Sequence, residues 1–182
     1  METTSVSVSE VDFFSYDECD SILQSNINFY PAQIDNPNRQ LDESYRKCFN
    51  TMIDTQFHSW LVPKLHSYLK EVNNDFFRFK LNGITELQVI KYDTDSFYKK
   101  HIDTLIDELG YQRKLTFVIQ LSNDNDYTGG DLLLHTSEPA EKALRKKGTI
   151  IVFPSFVLHE VTPILSGTRY SMIGWCFGPE FQ

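Results

Sequence analysis

"TELQVIKYDTDSFYKKHID", residues 85–103, holds both a fold signal and a chemical one. Its first eight residues are rich in β-branched and aromatic side chains and read as a strand. Its last three place His101 and Asp103 two positions apart, and in an extended chain such residues point to the same side. A histidine and a carboxylate on one side can share a metal ion. H-x-D also arises often by chance, so the rest of the chain has to supply a third ligand.

Downstream of this stretch the pattern is strand after strand. "RKLTFVIQLS" (113–122), "GGDLLLHT" (129–136), "GTIIVFPS" (148–155) and "RYSMIGWCF" (169–177) are short and rich in strand formers, and turn material such as "SNDNDYTGG" and "LSGT" separates them. Within 138–147, "EPAEKALRKK" is the only later segment that could make a helical turn. Upstream, the first 80 residues read as mainly helical. Ser15 is a candidate N-cap before "YDECDSILQSN", with acidic residues in the first turn. From Ser44 to about Asn73, Met52, Ile53, Phe57, Trp60, Leu61, Leu65, Tyr68, Leu69 and Val72 recur at helical spacing. Pro63 falls inside that run and predicts a kink or two helices. In "NNDFFRFKLNG" (73–83), Phe77, Phe79 and Leu81 alternate with Arg78 and Lys80 and predict a strand. The expectation is an α+β protein: a sandwich or jelly-roll β core over 84–178, with helices from 1–80 packed on it.

Length and composition limit the functional classes. A chain of 182 residues predicts a single domain with a real core. No apolar run approaches the ~20 residues of a membrane helix, and "METTSVSVSE" lacks the basic and apolar regions of a secretory signal. Cys19, Cys48 and Cys176 are odd in number and scattered, which fits reduced thiols and a cytoplasmic setting. The net charge of −8 argues against general affinity for nucleic acid or an anionic membrane. The basic clusters "RKLTF" at 113 and "RKKG" at 145 read as solvated turns or strand edges.

For the third ligand, "FPSFVLHEVTP" (153–163) offers His159, a lone polar ring in an otherwise apolar stretch. Two histidines and one carboxylate form a facial triad that leaves three open positions on an octahedral iron. Zinc favours more closed sets, so the ligands favour Fe(II) without excluding Zn, Mn or Co. His58 and His66 read as surface or core-edge residues, and His135 as structural. Ten residues beyond His159 comes Arg169. On a strand it shares a face with Ser171 and Trp175, and a buried guanidinium beside a hydroxyl suits a carboxylate. The plainer alternative is an ordinary salt bridge.

Together "HID", "FPSFVLHEVTP" and "GTRYSMIGW" resemble the Fe(II)/2-oxoglutarate-dependent dioxygenases, and within them the prolyl-4-hydroxylase-like, PKHD-type hydroxylases. The resemblance extends to "QVIKYDTDSFYKKHID", "RKLTFVIQLSNDNDYTGGDLLL" and "KKGTIIVFPS", about half the chain. It implies that His101, Asp103 and His159 bind Fe(II), and that Arg169, with Ser171 beside it, pairs with the distal carboxylate of 2-oxoglutarate. Tyr92 matches a tyrosine facing the co-substrate. Gly129 and Gly130 would turn the chain into a strand, and Asp131 stands where many relatives have Glu. Gln120 departs from the pattern: many prolyl hydroxylases carry a co-substrate-contacting Tyr there, and its amide is the candidate substitute.

The reaction so implied consumes O2 and 2-oxoglutarate, releases succinate and CO2 and hydroxylates an unactivated C–H bond, with ascorbate as an auxiliary. The implied target is a peptidyl proline or another protein side chain; a free amino acid or small metabolite is the alternative. Residues 92–100 and 30–44 are candidates to line the substrate entrance. Two further readings are a nucleic-acid demethylase, disfavoured because Trp175 stands where those carry a second Arg, and a non-catalytic barrel that binds an anion or a protein partner.

Overall fold

The computed structural model describes residues 1–4, 6–25, 28–34 and 41–181. In chain order its elements begin with β1 (Glu2–Thr3), β2 (Val8–Glu10), α1 (Tyr16–Ser25), β3 (Tyr30–Pro31), β4 (Arg46–Lys47), β5 (Phe49–Met52) and α2 (Leu61–Val72). A π-helical turn, Asn73–Phe77, leads to β6 (Gly83–Tyr92), β7 (Phe97–His101), β8 (Tyr111–Gln120), β9 (Tyr127–Gly129) and β10 (Leu132–Leu134). The remaining strands are β11 (Glu141–Lys142), β12 (Ile150–Pro154), β13 (His159–Val161), β14 (Ile164–Gly167) and β15 (Arg169–Pro179).

The large sheet has the order β1-β2-β12-β8-β15-β6-β5-β3, and the smaller one β11-β10-β13-β7-β4. The strand pairs are antiparallel. This is a β-sandwich core of jelly-roll type. The two-residue period of its strands sorts the core into two layers. Leu87 and Val89 of β6, Leu115, Phe117 and Ile119 of β8, and Met172 of β15 join one buried cluster with Ile22 of α1 and Leu61, Leu65 and Leu69 of α2. The intervening residues face the other way. Ile90 and Tyr92, Val118, and Ile151 and Phe153 of β12 join Leu132, Leu134 and Val161 of the smaller sheet in a second cluster. Covered on both faces, β8 is buried continuously from Gln112 to Gln120. Each Leu, Ile or Phe fully buried in these layers stabilises the fold by about 1.5–3 kcal/mol. It is the second, inter-sheet layer that holds the polar residues of interest.

The N-terminal region departs from a mainly helical reading. Its described residues hold two α-helices and five short strands. Met52 lies not on a helix but on β5, which pairs with β6 from Phe49↔Lys91 to Met52↔Gln88. An open sheet edge there outweighs the helical spacing of a few apolar residues. Because α2 starts only at Leu61, Pro63 is its third residue, where the missing N–H has no intrahelical acceptor to lose. No kink is needed.

Residues 73–82 are not a strand either. The Asn73 side chain donates from Nδ2 to the Phe79 carbonyl (2.9 Å) and accepts from the Phe79 N–H (3.0 Å), so it satisfies the backbone groups that a neighbouring strand would otherwise take. The expected helical turn near 138–147 is replaced by β11, paired with Leu133 and Leu134. At Ser15 the local reading holds: Ser15 Oγ accepts from the Glu18 N–H (3.1 Å) and Glu18 Oε2 accepts from the Ser15 N–H (2.7 Å), the reciprocal capping box. No helix among the described residues is long and apolar enough to cross a membrane.

Candidate metal and co-substrate site

The pairing of β13 with β7 sets His159 directly opposite His101, with ring centroids 4.1 Å apart. Asp103 lies two residues beyond the end of β7, where its N–H donates to the Ser155 carbonyl (2.8 Å). His101 Nε2 is 3.5 Å from Asp103 Oδ1, and His159 Nε2 is 3.5 Å from Asp103 Oδ2. One ligand atom from each of the three lies within 4.8 Å of the others.

The backbone fixes what these rings offer. His101 Nδ1 lies 2.7 Å from the Lys99 carbonyl and His159 Nδ1 lies 2.9 Å from the Val157 carbonyl. A carbonyl only accepts, so each Nδ1 carries a hydrogen and Nε2 is the ring atom that faces Asp103. Burial pushes the His101 imidazole down to about 4, and the neighbouring His159 ring adds to this. Burial alone would raise the Asp103 carboxyl. The His159 and His101 rings, with donors from Trp175 and Thr116, outweigh that and hold it below its usual range. Trp175 Nε1 donates to Asp103 Oδ2 (3.0 Å), and so does Thr116 Oγ1 (2.9 Å). Two imidazole nitrogens and one oriented carboxylate fit a divalent metal with open positions.

The same cavity, about 670 Å³, is lined at another point by Arg169, Ser171 and Tyr92. Arg169 is 1% exposed, yet none of its partners among the described residues is a carboxylate. Nη1 donates to Ser171 Oγ (3.3 Å), Nη2 donates to Gln120 Oε1 (3.0 Å), and Nε has no partner among the described residues. The guanidinium carbon sits 5.3 Å from the centre of the Tyr92 ring. Burial holds the Tyr92 phenol above its usual range, so Tyr92 stays neutral. A fully buried cation with only neutral partners is costly, and the deficit is one that a bound anion removes. The expected plain salt bridge to Arg169 does not occur among the described residues. Gln120 is drawn into the site through Arg169: its Oε1 accepts from Arg169, one Nε2 hydrogen goes to the Leu144 carbonyl (3.0 Å), and the residue does not line the cavity.

Several residues here had no role in the sequence reading. Thr116 and Trp175 hold Asp103, and Ser155 Oγ lies 3.1 Å from Thr116 Oγ1 behind them. A hydroxyl alternating with the apolar residues of β8 was the available signal for Thr116. Arg113, expected on a solvated edge, is instead buried in the cavity wall, paired with Glu86 (2.9 Å) and stacked 3.8 Å from the Trp175 ring centre. Glu86 has a positive φ of 49° at the point where the β15–β6 register shifts, a bulge that turns its side chain toward Arg113. The "RKKG" cluster is also engaged, Arg145 with Asp131 and Lys146 with Asp12. His135 pairs with Glu160 (2.8 Å), and His58 lies 2.6 Å from the Ser25 hydroxyl; neither joins the triad. Of the expected entrance segments, Gln33, Ile34, Tyr92 and Tyr98 line the cavity, whereas residues 35–40 lie outside the described residues.

A facial set of metal donors and an anion-binding guanidinium in one β-sandwich cavity define the class. Residues 87–177 match the model of the 2OG-Fe(II) oxygenase superfamily, and the chain belongs to that superfamily. Fe(II), 2-oxoglutarate and O2 are the cofactor and co-substrates that this membership carries, and the His-Asp-His donor set fits the iron. More narrowly, the chain is 32% identical over 143 residues to a PKHD-type hydroxylase of Synechococcus sp. (strain CC9605), a match covering 76% of this chain and 55% of that protein. The chain therefore spans little more than half the length of that relative. The viral collagen prolyl hydroxylase of Paramecium Bursaria Chlorella virus-1, in its 2OG complex, superposes with a TM-score of 0.72 at 22% identity, over 95% of this chain and 96% of that one. A prolyl hydroxylase of Trichoplax adhaerens, in complex with a hypoxia inducible factor peptide fragment, gives 0.77 at 20% identity, over 96% and 84%. At these identities the two structures speak for the shared fold.

Proposed function

We propose that this chain is a 2-oxoglutarate-dependent hydroxylase acting on a C–H bond of a protein side chain, with peptidyl proline as the first candidate. In this reading one domain, residues 1–182, carries the whole site. His101, Asp103 and His159 hold Fe(II), which together with O2 and 2-oxoglutarate supplies the oxidising power for hydroxylation, with succinate and CO2 as products. Arg169 binds the distal carboxylate of 2-oxoglutarate. Ser171 accepts a hydrogen bond from Arg169 and keeps its own hydroxyl hydrogen for that carboxylate, and Tyr92 packs its neutral ring beside the guanidinium. Thr116 and Trp175 keep Asp103 ionised and aimed at the metal.

The observation that carries this reading is the buried, carboxylate-free guanidinium of Arg169 in the same cavity as the triad. A metal-binding barrel without this chemistry would have no use for a second pole of opposite demand. A protein substrate is favoured over a small metabolite by the cavity rim. Ile102, Leu105 and Leu158 line the cavity yet are 52%, 37% and 40% exposed, an apolar border continuing to Ile106 and Leu109. Such a border extends beyond what a ligand inside the cavity would cover. The relatives named as hydroxylases and prolyl hydroxylases support the same choice.

The test is succinate formation with Fe(II), O2 and 2-oxoglutarate, followed by a screen of proline-containing peptides for a mass gain of one oxygen atom. Absence of turnover, even uncoupled, together with absence of iron binding would sink the hydroxylase reading. Oxygen gain on free amino acids but on no peptide would replace the protein substrate with a small one.

A further inference from the structure

The environment of Arg169 contains a choice that the triad does not explain: its nearest side-chain oxygen belongs to a neutral amide. Gln120 is 2% exposed and pinned at every point. Its backbone N–H donates to the Thr149 carbonyl (3.0 Å) and its carbonyl accepts from the Gly148 N–H (2.8 Å). Its side-chain Nε2 donates to the Leu144 carbonyl (3.0 Å), leaving Oε1 to accept from Arg169 Nη2 (3.0 Å). These partners fix the sense of the amide. A carbonyl only accepts and a guanidinium only donates, so a flipped amide would set acceptor against acceptor and donor against donor.

We propose that Gln120 is a positioning residue that aims the Arg169 guanidinium while leaving its full charge for the co-substrate, so that it sets the preference for a 2-oxo acid with a second carboxylate. This rests on the role given to Arg169 above. A carboxylate at position 120 would orient Arg169 equally well but would neutralise it in a buried setting, where the pair interacts strongly and an incoming anion would have to compete. An apolar residue would leave the charge whole but the fork unguided, with one more buried donor unsatisfied. A neutral acceptor tied from behind meets both demands. The Leu144 carbonyl takes one of the two Nε2 hydrogens and Gln120 does not line the cavity, so its influence on the bound anion runs through Arg169. The donors lining the cavity for the distal carboxylate are Arg169 itself and the Ser171 hydroxyl, whose hydrogen meets no acceptor among the described residues.

The test compares two ligands by calorimetry on the Fe(II)-loaded protein under nitrogen: 2-oxoglutarate, and 2-oxobutanoate, which keeps the 2-oxo acid head but lacks the second carboxylate. The wild type is expected to prefer 2-oxoglutarate. Gln120→Glu should cut that preference by roughly tenfold or more, the worth of a charge-assisted hydrogen bond. Gln120→Met, similar in length but without the acceptor, should cut it by roughly threefold. Iron affinity and 2-oxobutanoate affinity should stay at wild-type values in both variants. If Gln120→Glu does not fold, Gln120→Met decides. A preference retained in the folded variants overturns the role of Gln120 alone, as does equal weakening of both ligands, which would mark Gln120 as merely structural. A wild type that binds the two ligands equally overturns the oxoglutarate reading of Arg169 and this inference together.

Discussion

The two poles of the cavity are stabilised in opposite ways. At the triad, each charge and each donor has a counterpart: Asp103 lies between two imidazoles, accepts from Thr116 and Trp175, and each ring is anchored by a backbone carbonyl. Its geometry is set by these hydrogen bonds before any metal arrives, which keeps the donors in place. At Arg169 the balance is left open, since a guanidinium buried to 1% exposure meets only a hydroxyl, an amide oxygen and an aromatic ring. One pole is preorganised by satisfying its groups and the other by withholding satisfaction. The difference matches their ligands: a cation needs rigid, correctly protonated donors, and an anion needs an unspent positive charge.

That contrast can be broken at four points. The largest effect is expected from His159→Ala, which should weaken Fe(II) binding by more than ~100-fold, beyond the loss of an outer-shell partner, with the circular dichroism of the fold retained. Iron still bound at wild-type affinity would show that the third donor lies elsewhere. Arg169→Ala acts on the other pole and should raise the 2-oxoglutarate concentration needed for half-saturation by roughly 10- to 150-fold, with iron affinity unchanged. Loss of iron from that variant would mean the poles are not separable. Thr116→Val removes one donor from Asp103 and should weaken iron binding by ~10-fold, the low end for such a partner, without altering 2-oxoglutarate affinity measured at saturating iron.

The smallest effect belongs far from both poles. Ser15→Ala removes the capping box and should lower stability by ~1 kcal/mol, read by denaturant unfolding, with both ligand affinities intact. Glu18 supplies the pH dependence there. Burial alone would raise its carboxyl, but hydrogen bonds from Lys64 and Ser15 hold it below its usual range. Its stabilisation is therefore present above the ordinary carboxylate pKa and is lost as pH falls through the lowered folded value. A variant Glu18→Gln should flatten that acid limb. An unchanged limb would assign it to other carboxylates.

The catalytic strands were legible because their signals are local. "TELQVIKY", "RKLTFVIQLS" and "RYSMIGWCF" carry strand formers along their lengths; β6 and β15 each run two residues beyond the quoted stretch, and β8 both starts and ends two residues earlier. His101, Asp103 and His159 were also legible, each as a polar residue whose type and order suit a metal. What failed was whatever depends on a partner distant in sequence. Phe49–Met52 is a strand only because β6 offers it an edge. Phe79 loses its strand to the side chain of Asn73, six residues back. Arg113 is buried because Glu86, 27 positions away, sits on a bulge facing it. Gln120 reaches the site by way of Arg169, with one amide hydrogen held by the carbonyl of Leu144, 24 positions away.

One consequence follows from the place of β15. It carries Arg169, Ser171 and Trp175, and it lies in the large sheet between β6 and β8, pairing with both along most of its length. The last strand in sequence is thus a central one in space. A growing chain presents His101, Asp103 and His159 before the segment that props Asp103 and supplies the positive pole has been made. Until residues 169–179 insert, β6 and β8 each lack a neighbour on that side. One hydrogen-bonded strand, flanked on both sides, therefore carries both the Trp175 donor that holds Asp103 and the Arg169 guanidinium, so the two poles are fixed relative to each other by a single element.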